Sequence, residues 1–193
     1  MYMLRAQWNL FGEEMKFSGS DLSKEKKWRG FIAAGAVTNE SQFTRFSGSG
    51  GGQLTGYPAD SEPGQYRVNQ YVVETAFKYH GFSWQQEYHW KSIDDQINND
   101  TRTLSGNYIQ LGTFPATYIN GFPEPLEVAA RYTYHRPDEE ITGLLFEEVA
   151  LNFNWFFKGH LNKLSTEVSY LEGEENEVIR PGWRFRFQWE ISF

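Results

Sequence analysis

Cysteine is absent from this 193-residue chain, which excludes a disulfide framework and a thiolate-bound metal site. Long apolar runs are also missing, since no stretch approaches the roughly 18 apolar residues that a membrane-spanning helix needs. Helical periodicity of useful length does not occur either. The first residues lack the basic, apolar and small-residue regions of a secretory signal. We therefore expect either a cytosolic chain or one whose original beginning lies upstream.

Aromatic side chains, by contrast, are abundant, at 18% of the residues, which excludes an intrinsically disordered chain. The net charge is −7 and the mean hydropathy is negative, as in a soluble acidic protein. The mean hydropathy does not distinguish a soluble protein from a transmembrane β-barrel. Transmembrane strands alternate apolar and polar residues, and their mean hydropathy is therefore also polar.

Alternation of residue type runs through most of the chain, and it is clearest in WRFRFQWEISF at residues 183–193. There the rings and Ile191 fall on one parity, whereas Arg184 and Arg186 fall on the other. A period of two with many aromatic and β-branched residues indicates half-buried strands. The sequence therefore predicts an all-β chain of about nine strands. They are placed at residues 2–10, 28–37, 66–79, 82–91, 104–114, 126–135, 147–157, 163–171 and 183–193.

The connections between these strands alternate in kind, as in an antiparallel up-and-down meander. Polar, longer loops alternate with tighter turns, of which His80-Gly81 is the tightest. The segment at residues 11–27 is an exception, because it is long yet falls on the tight-turn side. Short turns at one end and longer loops at the other are typical of a transmembrane β-barrel.

The two predicted strand faces differ in chemistry. Large rings crowd one face near the strand ends, as in the aromatic girdles that face lipid at a membrane interface. The opposite face carries charges along its length, which is unfavourable in a dry core and suits a water-filled lumen. The predicted lipid-facing girdle is Trp84, Tyr88, Trp90, Phe153, Trp155, Phe157, Phe187 and Trp189. The predicted pore-lining residues are Arg5, Arg29, Lys91, Arg131, Lys163, Arg184 and Arg186.

The expected strand count is odd, whereas bacterial single-chain barrels have even numbers of strands. With nine strands, the first and the last run in the same direction. We therefore expect an incomplete barrel, a single domain over residues 1–193 that lacks N-terminal strands.

Several segments together resemble a known family. They are GNYIQLGTFP, LEVAARYTYHRPDEE, EVALNFNWFFKGHLNKLSTEVSYLEGE and PGWRFRFQWEISF. This order of motifs is similar to the C-terminal part of the phosphate-selective porin O and P family, and LRAQWNLFGEEMKFSGSDL resembles an earlier strand and turn of it.

The resemblance implies a sixteen-stranded trimeric porin of the bacterial outer membrane, a size that leaves an aqueous channel. It further implies passive diffusion of phosphate, polyphosphate or other small anions, contact with lipid and lipopolysaccharide, and no catalysis, cofactor or nucleic-acid partner. Phe193 resembles the terminal aromatic that signals membrane insertion. The family's constriction loop and much of its basic ladder lie N-terminal to the matching part, so anion selectivity is not carried over to individual residues.

Other interpretations of the same residues remain open. Hairpin counting places Arg131 opposite Glu148 and Glu167 near Arg186, so cross-strand ion pairs are a more frequent role than solute contact. The four histidines show no metal-ligand spacing, and no metal is expected. The alternative function is a soluble, lipocalin-like barrel that binds a small apolar ligand with its rings turned inward. Such a small barrel would be overfilled by seven large rings.

Overall fold

The computed structural model of the chain describes residues 1–15, 18–45, 52–141, 144–175, 178–179 and 181–192, with backbone only at 174–175 and 178–179. Ten strands and one turn of 3-10 helix at Pro115–Thr117 make up the regular structure of these residues. The strands are β1 (Tyr2–Asn9), β2 (Arg29–Ser41), β3 (Tyr66–Tyr79), β4 (Phe82–Asp95), β5 (Asp100–Thr113), β6 (Leu126–Arg136), β7 (Phe146–Phe156), β8 (Asn162–Glu175), β9 (Val178–Ile179) and β10 (Gly182–Ile191).

In this described part, no helix is long and apolar enough to cross a membrane.

The strands form one antiparallel sheet in which each long strand pairs with the next one along the chain. Its order is β1-β2-β3-β4-β5-β6-β7-β8-β10, and the short β9 pairs with the end of β8. The predicted all-β meander of nine strands is therefore confirmed. β9 was not predicted, because two residues are too few to show an alternating pattern.

Strand ends differ from the predicted bounds mainly where polar residues continue a strand. β5 begins at Asp100 rather than at Leu104, and β4 continues to Asp95. The register pairs Asp95 with Asp100, so the polar ends of both strands are held by ladder hydrogen bonds. Alternation of apolar residues cannot reveal such extensions, because the cross-strand partner supplies the stabilisation.

The predicted tightest hairpin lies between β3 and β4. His80 and Gly81 both have positive φ angles, 50° and 81°, as the two central residues of a type I′ turn require. This turn matches the twist of the flanking strands. The adjacent pairs Tyr79–Phe82 and Phe77–Trp84 consequently lie side by side on one face.

The strand register keeps the side chains of each predicted face on the same side of the sheet from β1 to β10. The ring face contains, for example, the row Trp84, Leu111, Ala130, Leu151, Val168 and Phe185. The ionic face contains the row Gln85, Gln110, Arg131, Ala150, Ser169 and Arg184. No strand is shifted by one residue, which would have exchanged its two faces.

The face that is buried is the opposite of the one expected in a soluble barrel, where the rings would be inside. The buried apolar strand residues all lie on the ionic face, and they are Phe31, Ala33, Tyr66, Val68, Ala76, Ile93, Ala129, Ala150 and Phe156. Rings on the opposite face are open to the surroundings, and Phe185 is 78% and Trp189 62% exposed. The predicted orientation of the sheet, with rings outward, agrees with this burial.

The sheet of the described residues is open, with β1 at one edge and β10 at the other. Closure into a barrel therefore stays a prediction. β1 and β10 run in the same direction, because they are the first and ninth strands of an antiparallel path.

Candidate pore-lining face

The seven basic residues predicted to line a pore lie on the ionic face. Their register partners there include Gly35 for Arg5, Lys78 for Arg29 and Gln70 for Lys91. Arg131, Lys163, Arg184 and Arg186 lie on the same face in the C-terminal half of the sheet. The sequence therefore predicted the face of each residue, while their role in solute passage stays a proposal.

Three of these arginines join two glutamates in one cluster, the arginine cluster, across β6, β7, β8 and β10. Glu148 Oε1 accepts hydrogen bonds from Nη2 of Arg131 at 2.9 Å and from Nη2 of Arg184 at 2.6 Å. Glu167 Oε1 lies 3.2 Å from Nη1 of Arg186, and its Oε2 lies 3.5 Å from Nη2 of Arg131. The cluster holds one more positive than negative charge.

The predicted ion pairs of this cluster are confirmed as contacts, with one correction in register. Arg186 is the direct partner of Glu167, as expected. Arg131 is opposite Ala150 rather than Glu148, which lies two residues along the strand. The long guanidinium side chain reaches the diagonal position, which lies within range of long side chains on one face of a sheet.

The other predicted pore-lining residues also have partners. Arg5 pairs with Glu74 and Lys163 with Glu190 at 3.2 Å, and Arg29 pairs with Glu13 and, at 3.6 Å, with Glu25. Lys91 donates a hydrogen bond to the carbonyl of Thr44. Six of the seven predicted pore-lining residues therefore take part in ion pairs, and Lys91 bonds to a backbone carbonyl.

The long segment between β1 and β2 folds across the ionic face, which the sequence did not predict. We call its residues 10–15 and 18–28 the inner strap. Met15 is buried in a cluster with Phe31, Ala33 and Ala76. Lys78 Nζ donates to Ser18 Oγ at 2.6 Å and to the carbonyl of Ser20 at 3.0 Å.

Two acidic residues hold the strap further along the sheet. Glu127 accepts a hydrogen bond from Ser20 Oγ at 2.8 Å, and Asp21 accepts one from the backbone N–H of Gly81 at 2.8 Å. Both carboxylates are buried, and the strap therefore reaches from β2 to β6. The length of residues 11–27 on the tight-turn side was the only signal in the sequence that pointed to this arrangement.

The connection between β2 and β3 also folds against the ionic face, at the opposite end of the strands. Leu54 and Tyr57 pack against the buried Tyr66, Val68 and Ile93. Burial raises the pKa of Tyr57 to about 12. The sequence suggested only a flexible Gly/Ser-rich loop here, and residues 46–51 of it lie outside the described residues.

The eight predicted girdle residues lie on the ring face, and Phe157 follows β7 by one position in the same alternation. Aromatic pairs occur near both ends of the strands. Trp28 stacks on Tyr79 at 4.7 Å at the tight-turn end, whereas Tyr170 contacts Trp183 at 5.2 Å at the loop end. Between them, the aliphatic residues Val73, Leu111, Val149 and Leu151 are exposed on the same face.

Two further predictions concern the last residue of the chain and the binding of metal ions. Phe193, the predicted insertion signal, lies outside the described residues. Within the described ranges, no three His, Asp or Glu side chains are grouped so that they could hold a metal ion.

Comparison with known proteins yields one family. A family model for the phosphate-selective porin O and P matches residues 52–180, which is more than half of the chain. Neither the comparison with curated proteins nor that with solved structures found a match. The match covers β3 to β9 and includes Arg131, Glu148 and Glu167 of the arginine cluster, whereas Arg184 and Arg186 follow it in the chain. The chain therefore belongs to the phosphate-selective porin O and P family.

Proposed function

We propose that this chain forms part of the wall of an outer-membrane porin through which small anions, such as phosphate or polyphosphate, diffuse passively. The ring face contacts lipid and the ionic face contacts the water of the channel. The predicted pore-lining residues, from Arg5 to Arg186, are proposed to meet the solute.

The observation that carries this proposal is the continuous separation of the two faces. Exposed rings lie on one face in β1, β3, β4, β6, β7 and β10, and the exposed Ile32 and Leu111 lie on the same face in β2 and β5. Most ion pairs between strands lie on the other face. In lipid, backbone groups are satisfied within the sheet and only apolar side chains are tolerated outside. In water, the same ring face would be an apolar patch far larger than monomeric soluble proteins expose.

Strand direction supports a barrel completed by further strands. Because β1 and β10 run the same way, antiparallel closure requires an odd number of additional strands. About seven would complete a sixteen-stranded porin, a size that leaves an aqueous channel. The exposed edges of β1 and β10 are proposed to pair with those strands, and the complete protein is proposed to be a trimer in contact with lipopolysaccharide.

The lipocalin-like alternative is not favoured by the burial pattern. It would require the rings to meet in the interior, whereas Trp183, Phe185 and Phe187 are exposed. The buried positions on the ionic face hold charged residues such as Glu127 and Lys78 in addition to apolar ones. The rings that would have to line a lipocalin-like cavity are therefore on the exposed face.

Single-cysteine labelling tests the orientation, since the chain has no native cysteine. Val149→Cys places a thiol on the ring face, and Asn152→Cys places one on the ionic face of the same strand. In the full-length protein in lipid vesicles, a membrane-impermeant maleimide is expected to label Asn152→Cys and to leave Val149→Cys unlabelled. Planar-bilayer reversal potentials then measure anion preference. Labelling of Val149→Cys alone, or absence of conductance, contradicts the proposal.

A further inference from the structure

A polar pocket lies on the ionic face across β6, β7, β8 and β10, and we call it the amide pocket. Its lining contains the small side chains of Ala129 and Ser165, next to long ones such as Arg186. Ala129 and Arg186 belong to one register row, and Ser165 belongs to the neighbouring row. Small side chains among long ones leave a depression in the face. The amide groups that line it are Gln110, Asn152, Asn154 and Gln188.

The charged side chains of the amide pocket compensate one another within its lining. Glu167 lies 3.2 Å from Arg186 and 3.5 Å from Arg131, and Lys163 lies 3.2 Å from Glu190. An anionic solute would meet two carboxylates beside the basic groups, and a cationic solute would meet three basic groups beside the carboxylates. Contact between like charges is unfavourable. The lining therefore fits a neutral solute better than an ion of either sign.

The carboxylates also set the orientation of three amide groups. Nδ2 of Asn152 and Nδ2 of Asn154 donate hydrogen bonds to glutamate oxygens at 3.1 and 2.9 Å, and Nε2 of Gln188 donates to Glu190 at 2.6 Å. Each amide keeps a carbonyl oxygen that can accept hydrogen bonds. No other side chain in the described part of the chain donates to these three oxygens. The amide pocket thus offers acceptors to a solute as well as the donors of its basic groups.

We propose that the amide pocket binds neutral polyhydroxylated solutes, with monosaccharides as the chemical class. A hydroxyl group both donates and accepts. It can therefore donate to an amide oxygen of Asn152 or Gln188 and accept from Lys163 in the same pocket. The pocket volume of about 220 Å³ is below the usual size of pockets for drug-sized ligands, so one small ring is the expected occupant. The proposal adds a class of solute to the proposed channel and rests on that function.

The test measures how two neutral probes block chloride current through the full-length protein in planar bilayers. The probes are glucose and triethylene glycol, which is of similar size but has fewer hydroxyl groups. Glucose is expected to reach half-block at a concentration about five-fold or more below that of triethylene glycol, since one additional hydrogen bond changes affinity by about that factor.

Two variants assign the block to the amide pocket. Ala129→Leu fills the pocket without removing a hydrogen-bonding group, and it is expected to raise the half-blocking concentration of glucose about five-fold or more. Because Ala129 is buried, Gln188→Leu at an exposed position of β10 serves as a second test, with an expected rise of about three-fold or more. The matched control is Gln7→Leu, an exposed amide of the same face in β1 and outside the pocket, which should leave the glucose block unchanged.

Equal block by glucose and triethylene glycol, or an unchanged glucose block in both pocket variants, would overturn this inference and leave the porin intact. If the protein conducts no ions, the proposed channel fails. Saturation-transfer NMR of glucose with the detergent-folded protein then decides the pocket separately. Transfer that is lost in Ala129→Leu and kept in Gln7→Leu supports the pocket, and absence of transfer in the wild-type protein refutes it.

Discussion

Glu148 is the residue on which the arginine cluster depends most, because a single oxygen of its carboxylate accepts hydrogen bonds from two guanidinium groups. Such a shared acceptor offsets the repulsion between the two cations. Hydrogen bonds to charged groups contribute about 1.5–3 kcal/mol each when they are partly buried.

Glu148→Gln is expected to lower the free energy of unfolding by about 2 kcal/mol, because it removes one of the two carboxylates between Arg131 and Arg184 and leaves only Glu167, at 3.5 and 3.6 Å, as their counter-charge. The measurement is urea unfolding of the protein folded into lipid vesicles. Glu190→Gln is the matched control, since the Lys163–Glu190 pair is more exposed, and its loss is expected to change stability by less than about 1 kcal/mol. Equal effects of the two substitutions would contradict a special role for Glu148.

His160 lies in the turn between β7 and β8, where its ring packs edge-on against Phe156 at 5.5 Å. Partial burial, followed by the positive charges of Lys163 and Lys78, lowers the pKa of His160 below its ordinary value of 6.5. A depressed pKa in the folded state means that the neutral ring contributes stability above about pH 6.5, and that this contribution is lost as the pH falls through the folded-state pKa.

The expected result is a midpoint below pH 6.5 for the His160 resonance in an NMR titration of the detergent-folded protein. The stability advantage of the wild-type protein over His160→Gln is expected to be smaller at pH 5 than at pH 8. A midpoint at or above 6.5 would show that the neighbouring lysines and the burial do not act on this ring as the structure implies.

At the scale of elements, the inner strap is held by few but buried contacts. Asp21 accepts hydrogen bonds from the backbone N–H groups of Gly81 and Glu25, and it is almost completely buried. The bond from Gly81 joins the strap to the β3–β4 turn, and the bond from Glu25 lies within the strap, so Asp21 fixes the strap to the sheet near its tight-turn end.

Asp21→Ala is expected to release the strap, because the N–H of Gly81 loses its buried acceptor. Trypsin cleavage after the exposed Lys26 and Lys27 should become several-fold faster in the detergent-folded protein, since cleavage follows local opening. Glu14→Ala, at an exposed strap position, is the control and should leave the rate unchanged. An unchanged cleavage rate in Asp21→Ala would mean that other contacts hold the strap on the sheet without Asp21.

At the scale of the whole molecule, the distribution of tryptophan offers a direct test of orientation. Trp8, Trp84, Trp90, Trp155, Trp183 and Trp189 lie in strands on the ring face, and Trp28 stacks on Tyr79 at its margin. All seven tryptophans of the chain are therefore expected to contact lipid or its interface.

Brominated lipids are expected to quench most of the tryptophan fluorescence of the protein in vesicles, whereas aqueous iodide should quench little of it. Trp189→Phe should lower the total emission without changing the quenched fraction. The reverse pattern, with strong iodide quenching and weak bromolipid quenching, would place the ring face in water.

The sequence by itself determined the nine long strands, their antiparallel path and the face on which every predicted pore-lining and girdle residue lies. These properties follow from a period of two, which each strand encodes locally and which cross-strand pairing preserves. Only the tertiary structure decided that the inner strap crosses the ionic face, and that Arg131 bonds to a diagonal Glu148 rather than to the residue directly opposite. These contacts join residues distant in the chain, such as Ser20 and Glu127, and they depend on side-chain reach and on shared burial, neither of which leaves a periodic pattern.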